Sequence, residues 1–291
     1  MSWGITENVE FPADYPYARV LDEIAAAGYS GTELGPYGFL PSEASALSRE
    51  LAQRKLALCS AFVAIPLGNV AAHAEGLAHV RRSAKLIRDA GARLLVLSDE
   101  ITPERSAVAG RRGEANARAW SAQEWQAATS AIKQAIEACQ AVGLRVAFHH
   151  HAGTHVETPE EVARLLGLSP AGELGLCLDT GHYVYAGGDA VQLLEQQGPR
   201  VWCVHLKDVN AARAHEARAA RMDFHAAVRH GIFAPLGKGS VDFPRVVTAL
   251  QKHNFEGWAV VEADVLAGGV GADAPLAGAV AGREYLRRLG V

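Results

Sequence analysis

Short apolar runs and longer amphipathic stretches alternate along the chain, and no other feature narrows its fold so far. Eight runs have strand character, at 3–6, 31–34, 56–62, 93–98, 144–149, 174–179, 201–206 and 257–262. Between them apolar residues recur at helical spacing over 17–27, 43–54, 77–90, 122–141, 159–166, 190–197 and 243–253. The helix punctuation agrees: Thr158 precedes Pro159, Asp189 and Asp242 stand at helix starts, and Gly28, Gly91 and Gly143 follow helix ends. A helix between two strands carries the chain back to the same edge, so the strands run parallel. Eight such units predict an α/β protein, a (β/α)8 TIM barrel, with residues 1–291 as a single domain.

A typical barrel needs about 250 residues. The excess in this chain falls at 102–121 and 209–236, both after strands, and both are expected as rim-loop insertions on the face that carries chemistry. An apolar content of 49% supports a large core and excludes disorder. Lys and Arg total 28 against 32 Asp and Glu, so no nucleic acid and no anionic membrane is expected as a partner. Neither a basic, apolar leader nor an apolar run of about 18 residues is present, which points to a cytoplasmic protein. Cys59, Cys139, Cys177 and Cys203 are far apart and form no C-x-x-C pair; they are expected to be reduced core thiols.

Barrel enzymes gather reactive groups from the C-terminal ends of several strands. The fifth run ends in Phe148-His149-His150-His151, the sixth in Leu178-Asp179-Thr180-Gly181-His182, the seventh in His205-Leu206-Lys207-Asp208 and the eighth in Glu262-Ala263-Asp264. One imidazole or carboxylate from each gives His149, Asp179, His205 and Glu262 as a metal-ligand set. Such mixed donors suit Mn²⁺ or Co²⁺, and also Zn²⁺ or Fe²⁺, better than Ca²⁺. His149 and His151 point to the same side of a strand, and either one fits as the fifth-strand ligand. His150 points the other way, toward the helical layer.

These strand ends resemble the xylose isomerase-like TIM-barrel superfamily of sugar isomerases, epimerases and dehydratases. The segments His149-His150-His151-Ala152-Gly153-Thr154, Leu178-Asp179-Thr180-Gly181-His182, Val204-His205-Leu206-Lys207-Asp208 and Glu256-Gly257-Trp258-Ala259-Val260-Val261-Glu262 more closely resemble myo-inosose-2 dehydratases of inositol catabolism, from about residue 144 to 264. The N-terminal half fits through Gly28-Tyr29-Ser30-Gly31-Thr32-Glu33-Leu34-Gly35. Most of the superfamily has Glu where this chain has His149, and the inosose dehydratases share the His-rich segment.

The resemblance implies a divalent metal ion and loss of water from a polyhydroxylated ketone such as 2-keto-myo-inositol, or, as an alternative, isomerisation or epimerisation of a free ketose. Both start by removing a proton next to a carbonyl, and only dehydration then needs a proton donor at a leaving hydroxyl. His151 is assigned as base and His182 as acid or hydroxyl clamp, with Lys207 a third proton-transfer residue unless it merely pairs with Asp208. Glu33 is expected to bind a substrate hydroxyl. Barrels of the superfamily resemble one another in forming dimers or tetramers, so a homo-oligomer is implied. A non-catalytic sugar-binding barrel is the minor alternative.

Other chemistries fit poorly. Gly237-Lys238-Gly239-Ser240 lacks P-loop spacing and reads as a rim turn, and no G-x-G-x-x-G follows the first strand, so no nucleotide cofactor is expected. An abasic-DNA endonuclease would need more His and Asp at the earlier strand ends, which offer Ser60, Ser98 and Asp99, and a basic groove.

Overall fold

The computed structural model describes residues 3, 5, 15–264 and 275–291. Its strands are β1 (Gly31–Thr32), β2 (Ala57–Leu58), β3 (Ser60–Ile65), β4 (Leu94–Asp99), β5 (Arg145–His149), β6 (Leu174–Asp179), β7 (Val201–Leu206), β8 (Asp208–Val209), β9 (Phe233–Ala234) and β10 (Trp258–Val261). β3, β4, β5, β6, β7 and β10 form a parallel sheet in that order. β1 pairs in parallel with β2, whose chain runs through Cys59 into β3, and the Leu34 amide donates to the Ser60 carbonyl at 2.9 Å. Seven expected strands are therefore present in barrel order, each within a few residues of its expected span. The expected first strand, 3–6, falls largely outside the described residues.

The helix boundaries follow the local chemistry. Thr158 caps helix Pro159–Gly167 through a reciprocal capping box with Glu161. Asp189 and Asp242 accept backbone amides at the starts of Ala190–Gln197 and Phe243–Lys252. Gly28, Gly91 and Gly143 take φ of 85°, 99° and 78°, a left-handed turn that costs glycine nothing and ends each helix.

Strand periodicity divides the core in two. Val146, Phe148, Leu176, Leu178, Val204 and Leu206 face the helices. Leu94, Val96, Ala147, Cys177 and Cys203 fill the barrel interior with Phe62, Trp202, Trp258 and Val260. Trp258 is thus an interior side chain, in keeping with a packing role.

The two insertions fold over the C-terminal strand ends. The first contains helices Pro103–Ser106 and Arg112–Asn116, the second helices Ala211–Ala219 and Phe224–His230 and the antiparallel β8–β9 ribbon. They touch each other where the Phe224 amide donates to Ser106 Oγ at 3.3 Å and Arg111 Nη1 to the Met222 carbonyl at 3.2 Å. The glycine-rich 237–240 segment is a turn held by Asp208, whose carboxylate accepts the Val209, Gly237, Gly239 and Val241 amides at 2.8–3.0 Å.

Candidate active site

The interior periodicity also aims the reactive groups. Ala147, Cys177, Cys203 and Val260 point inward, so residues two further on, His149, Asp179, His205 and Glu262, do too. One more period gives His151, Lys207 and Asp264, a second tier nearer the mouth. His182 joins this tier from helix Thr180–Tyr185, whose N-cap is Asp179: Asp179 Oδ1 accepts the His182 amide at 2.8 Å.

In the lower tier His149, Asp179 and His205 each offer a ligand atom, all within 4.8 Å of one another, and Glu33, His205 and Glu262 form a second such group. His149 Nε2 is 3.6 Å from Asp179 Oδ2, and His205 lies 3.3 Å from both Glu33 and Glu262. His151 belongs elsewhere, in a group with His182 and Asp264. His149 rather than His151 thus sits with the other expected ligands.

Among the described residues, His149 Nδ1, Asp179 Oδ2 and both His205 ring nitrogens are buried without a well-formed hydrogen bond. Buried polar atoms are rarely left so. Imidazole nitrogens without a hydrogen bond beside the carboxylates of Asp179 and Glu262 are the donors a first-row divalent cation takes, so His149, Asp179, His205 and Glu262 fit such an ion.

Lys207 organises the upper tier. Its ammonium is 1% exposed and lies 3.1 Å from Asp179 Oδ2, 3.0 Å from Glu262 Oε2, 2.9 Å from Asp264 Oδ2 and 2.9 Å from His182 Nε2. Adjacent strand residues point to opposite faces, so Lys207 does not pair with Asp208, which grips the rim turn instead. Burial opposes charge on Lys207 and on Asp179 alike. Asp179, Asp264 and Glu262 nevertheless push the ammonium well above its usual range, and Lys207 holds Asp179 well below the usual carboxylate range.

The site histidines divide by charge. Burial lowers His149, lowers His151 to about 4 and drives His182 well below its ordinary value. All three are neutral at neutral pH. A neutral imidazole has one acceptor nitrogen, and the 2.9 Å Lys207 contact outweighs the 3.4 Å approach of the Ala152 amide to Nδ1, so the lone pair of His182 is assigned to Nε2. In His151, Nδ1 donates to the Ala152 carbonyl at 2.8 Å, which leaves the Nε2 lone pair free. The His151 and His182 ring centroids are 3.8 Å apart. Burial opposes charge on His205 too, but the neighbouring Cys177 sulfur and the carboxylates of Glu262 and Glu33 raise it well above its ordinary value.

Glu33 accepts a hydrogen bond from Ser60 Oγ and faces His205. Glu33 and Glu262 remain 12% and 16% exposed, whereas the other lower-tier residues are closed off, so their side is the open one. The opposite wall is aromatic: Phe224 lies 5.3 Å from the His151 ring, and Phe233 lies 5.3 Å from His182 and 5.1 Å from Lys207 Nζ. His150 is fully buried, edge-on to the Tyr183 ring at 5.2 Å, and its Nε2 accepts the Asp179 backbone amide at 3.4 Å.

Sequence reasoning missed Asp264, Ser60, Phe224 and Phe233. For Asp264 the signal was its spacing of two from Glu262. Ser60 shares the inward face of β3 with Phe62.

A model of the xylose isomerase-like TIM barrel matches residues 21–289. The chain belongs to that family. Among its relatives, the rhizopine catabolism protein MocC of Rhizobium meliloti is 36% identical over 265 residues, covering 91% of this chain and 79% of its own. An inosose dehydratase of Geobacillus kaustophilus is 30% identical over 270 residues, covering 91% and 85%. The solved structure of an L-ribulose 3-epimerase superposes with a TM-score of 0.71 at 15% identity, covering 99% of this chain and 91% of that one, which confirms the family fold. Among the described residues, no helix is long and apolar enough to cross a membrane.

Proposed function

We propose that this chain is a metal-dependent lyase that removes water from a polyhydroxylated ketone, with 2-keto-myo-inositol as substrate. The observation that carries the reading is the Lys207–His182 contact at 2.9 Å, set immediately mouthward of the ligand tier. Isomerisation returns a proton to carbon, whereas dehydration must also deliver one to a departing oxygen. A buried ammonium joined to a neutral imidazole supplies that delivery. The relatives named inosose dehydratase, at 25–30% identity over 91–99% of the chain, support the same reaction class.

A divalent ion held by His149, Asp179, His205 and Glu262, Mn²⁺ or Co²⁺ by preference, would supply Lewis acidity toward the ketone oxygen and its neighbouring hydroxyl. The protein groups do the rest. Glu33, on the open side and steadied by Ser60, accepts a substrate hydroxyl. His151 Nε2 takes the proton next to the carbonyl. The Lys207 ammonium gives a proton to the β-hydroxyl as its carbon–oxygen bond breaks, leaving a neutral amine, while His182 Nε2 accepts a second ammonium N–H and holds Lys207 in line as the clamp on that side. The Phe224 and Phe233 wall keeps bulk water from the proton-carrying side. In this reading residues 1–291 work as one domain and need no nucleotide.

The test is product analysis by mass spectrometry after incubating metal-loaded protein with 2-keto-myo-inositol and with a panel of free ketoses. Loss of one water from the inosose supports the lyase. An isomer from a ketose, with the inosose untouched, replaces it with the epimerase or isomerase reading.

A further inference from the structure

Below the ligand tier, Cys177 and Cys203 bring two thiols close together in the barrel interior. Cys177 and Cys203 face one another across paired strands β6 and β7, both fully buried and free of disulfides. Ligand atoms of Cys177, Cys203 and His205 all lie within 4.8 Å of one another, and His205, itself 1% exposed, has no well-formed hydrogen bond at either ring nitrogen. The surroundings are apolar, with Val96 and Ala147 fully buried and Phe62, Trp258 and Val260 packed on them.

We propose that Cys177, Cys203 and His205 form a second metal site, one that takes thiophilic divalent cations such as Cd²⁺ and Zn²⁺ and rejects hard ions such as Mn²⁺ and Mg²⁺. Two sulfurs and an imidazole are three of the four ligands of a tetrahedral soft-metal centre, while hard ions prefer oxygen. Binding releases both thiol protons to solvent, so the ion and two thiolates carry no net charge. That neutrality allows a dication to sit among apolar side chains, where an uncompensated charge would be costly. His205 serves both the ligand tier and the thiol site, which makes the two sites mutually exclusive. A thiophilic ion in the thiol site withdraws His205 from the ligand tier and acts as an inhibitor rather than a replacement cofactor.

The test uses Cd²⁺ alone, added anaerobically to reduced, metal-free full-length protein, with the ultraviolet thiolate-to-metal absorption followed and the one-equivalent complex examined by X-ray absorption spectroscopy. The expected result is a band that saturates at about one equivalent and survives about a tenfold excess of Mn²⁺, with sulfur among the metal's neighbours. Cys177→Ala and Cys203→Ala should each lower the sulfur count and weaken the band. Cys139→Ala, on helix Ala122–Gln140 outside the barrel interior, should leave both unchanged. Purely nitrogen and oxygen coordination in the wild type, or an undiminished band in both interior variants, overturns the site. The wild-type spectrum decides even where a variant fails to fold.

Discussion

Lys207→Met removes one charge and keeps much of the side-chain volume, which isolates the role of the buried ammonium. The cation lies 2.9–3.1 Å from oxygens of Asp179, Glu262 and Asp264. Removing one partner of a buried ion pair costs about 3–5 kcal/mol because the remaining charge stays buried. Here one cation faces three carboxylates, so the upper end applies: about 5 kcal/mol, against about 5–15 kcal/mol for the whole fold. Part of the loss is recoverable, because a metal ion held by Asp179 and Glu262 brings positive charge back to the same oxygens. Without the like-charged ammonium, Mn²⁺ should bind about 10–100-fold more tightly, or about 1.4–2.8 kcal/mol. The assay is urea denaturation of wild type and variant in chelator and in saturating Mn²⁺, with calorimetric titration of the metal. The expected outcome is a large deficit in chelator that narrows with metal. A deficit under about 1 kcal/mol in chelator, or one equal in both conditions, would exclude this role for the Lys207 ammonium, since an exposed pair is worth no more.

Three further outcomes follow from the same geometry. His151→Ala should bind metal normally but slow exchange of the substrate's α-proton by about 10²–10⁴-fold; unchanged exchange in deuterated water would reassign the base. Asp208→Asn puts an amide nitrogen where one carboxylate oxygen accepts two backbone amides, so it should cost about 3–6 kcal/mol and speed hydrogen exchange at Gly237 and Gly239, and normal protection there would count against the Asp208 clamp. Burial raises Glu157 from 4.5 to about 7, so the folded state binds its proton more tightly than the unfolded one. Its contribution to stability is full below about 4.5 and is lost as pH rises through about 7; Glu157→Gln should remove that part of the pH slope, and an unchanged slope would exclude it.

The barrel was legible because a two-residue period and a helical period alternate with clear punctuation at Thr158, Asp189, Gly91 and Gly143. The same period made the lower tier legible, since each proposed ligand stands two residues beyond an inward apolar residue. Legibility ended where the chain left the ladder. Asp264 continues the inward register past β10 without belonging to a strand, so a strand-end reading stopped at Glu262. Lys207 invited pairing with its neighbour Asp208, yet a strand sends adjacent side chains apart. Helix Thr180–Tyr185 is too short to show a period and depends on the Asp179 cap. Phe224 and Phe233 lie in an Ala-, Arg- and His-rich stretch whose shape depends on contacts distant in sequence, the Asp208 clamp and the Ser106 hydroxyl.

Metal-dependent dehydration is tested most directly by a proton NMR time course of 2-keto-myo-inositol in deuterated water with Mn²⁺-loaded protein, beside a chelated control. The expected result is loss of the α-proton signal together with formation of the dehydrated product, both abolished by chelation and both lost in Glu262→Gln along with the bound metal. Dehydration at full rate in chelator, or a Glu262→Gln variant that keeps its metal and its turnover, would contradict it.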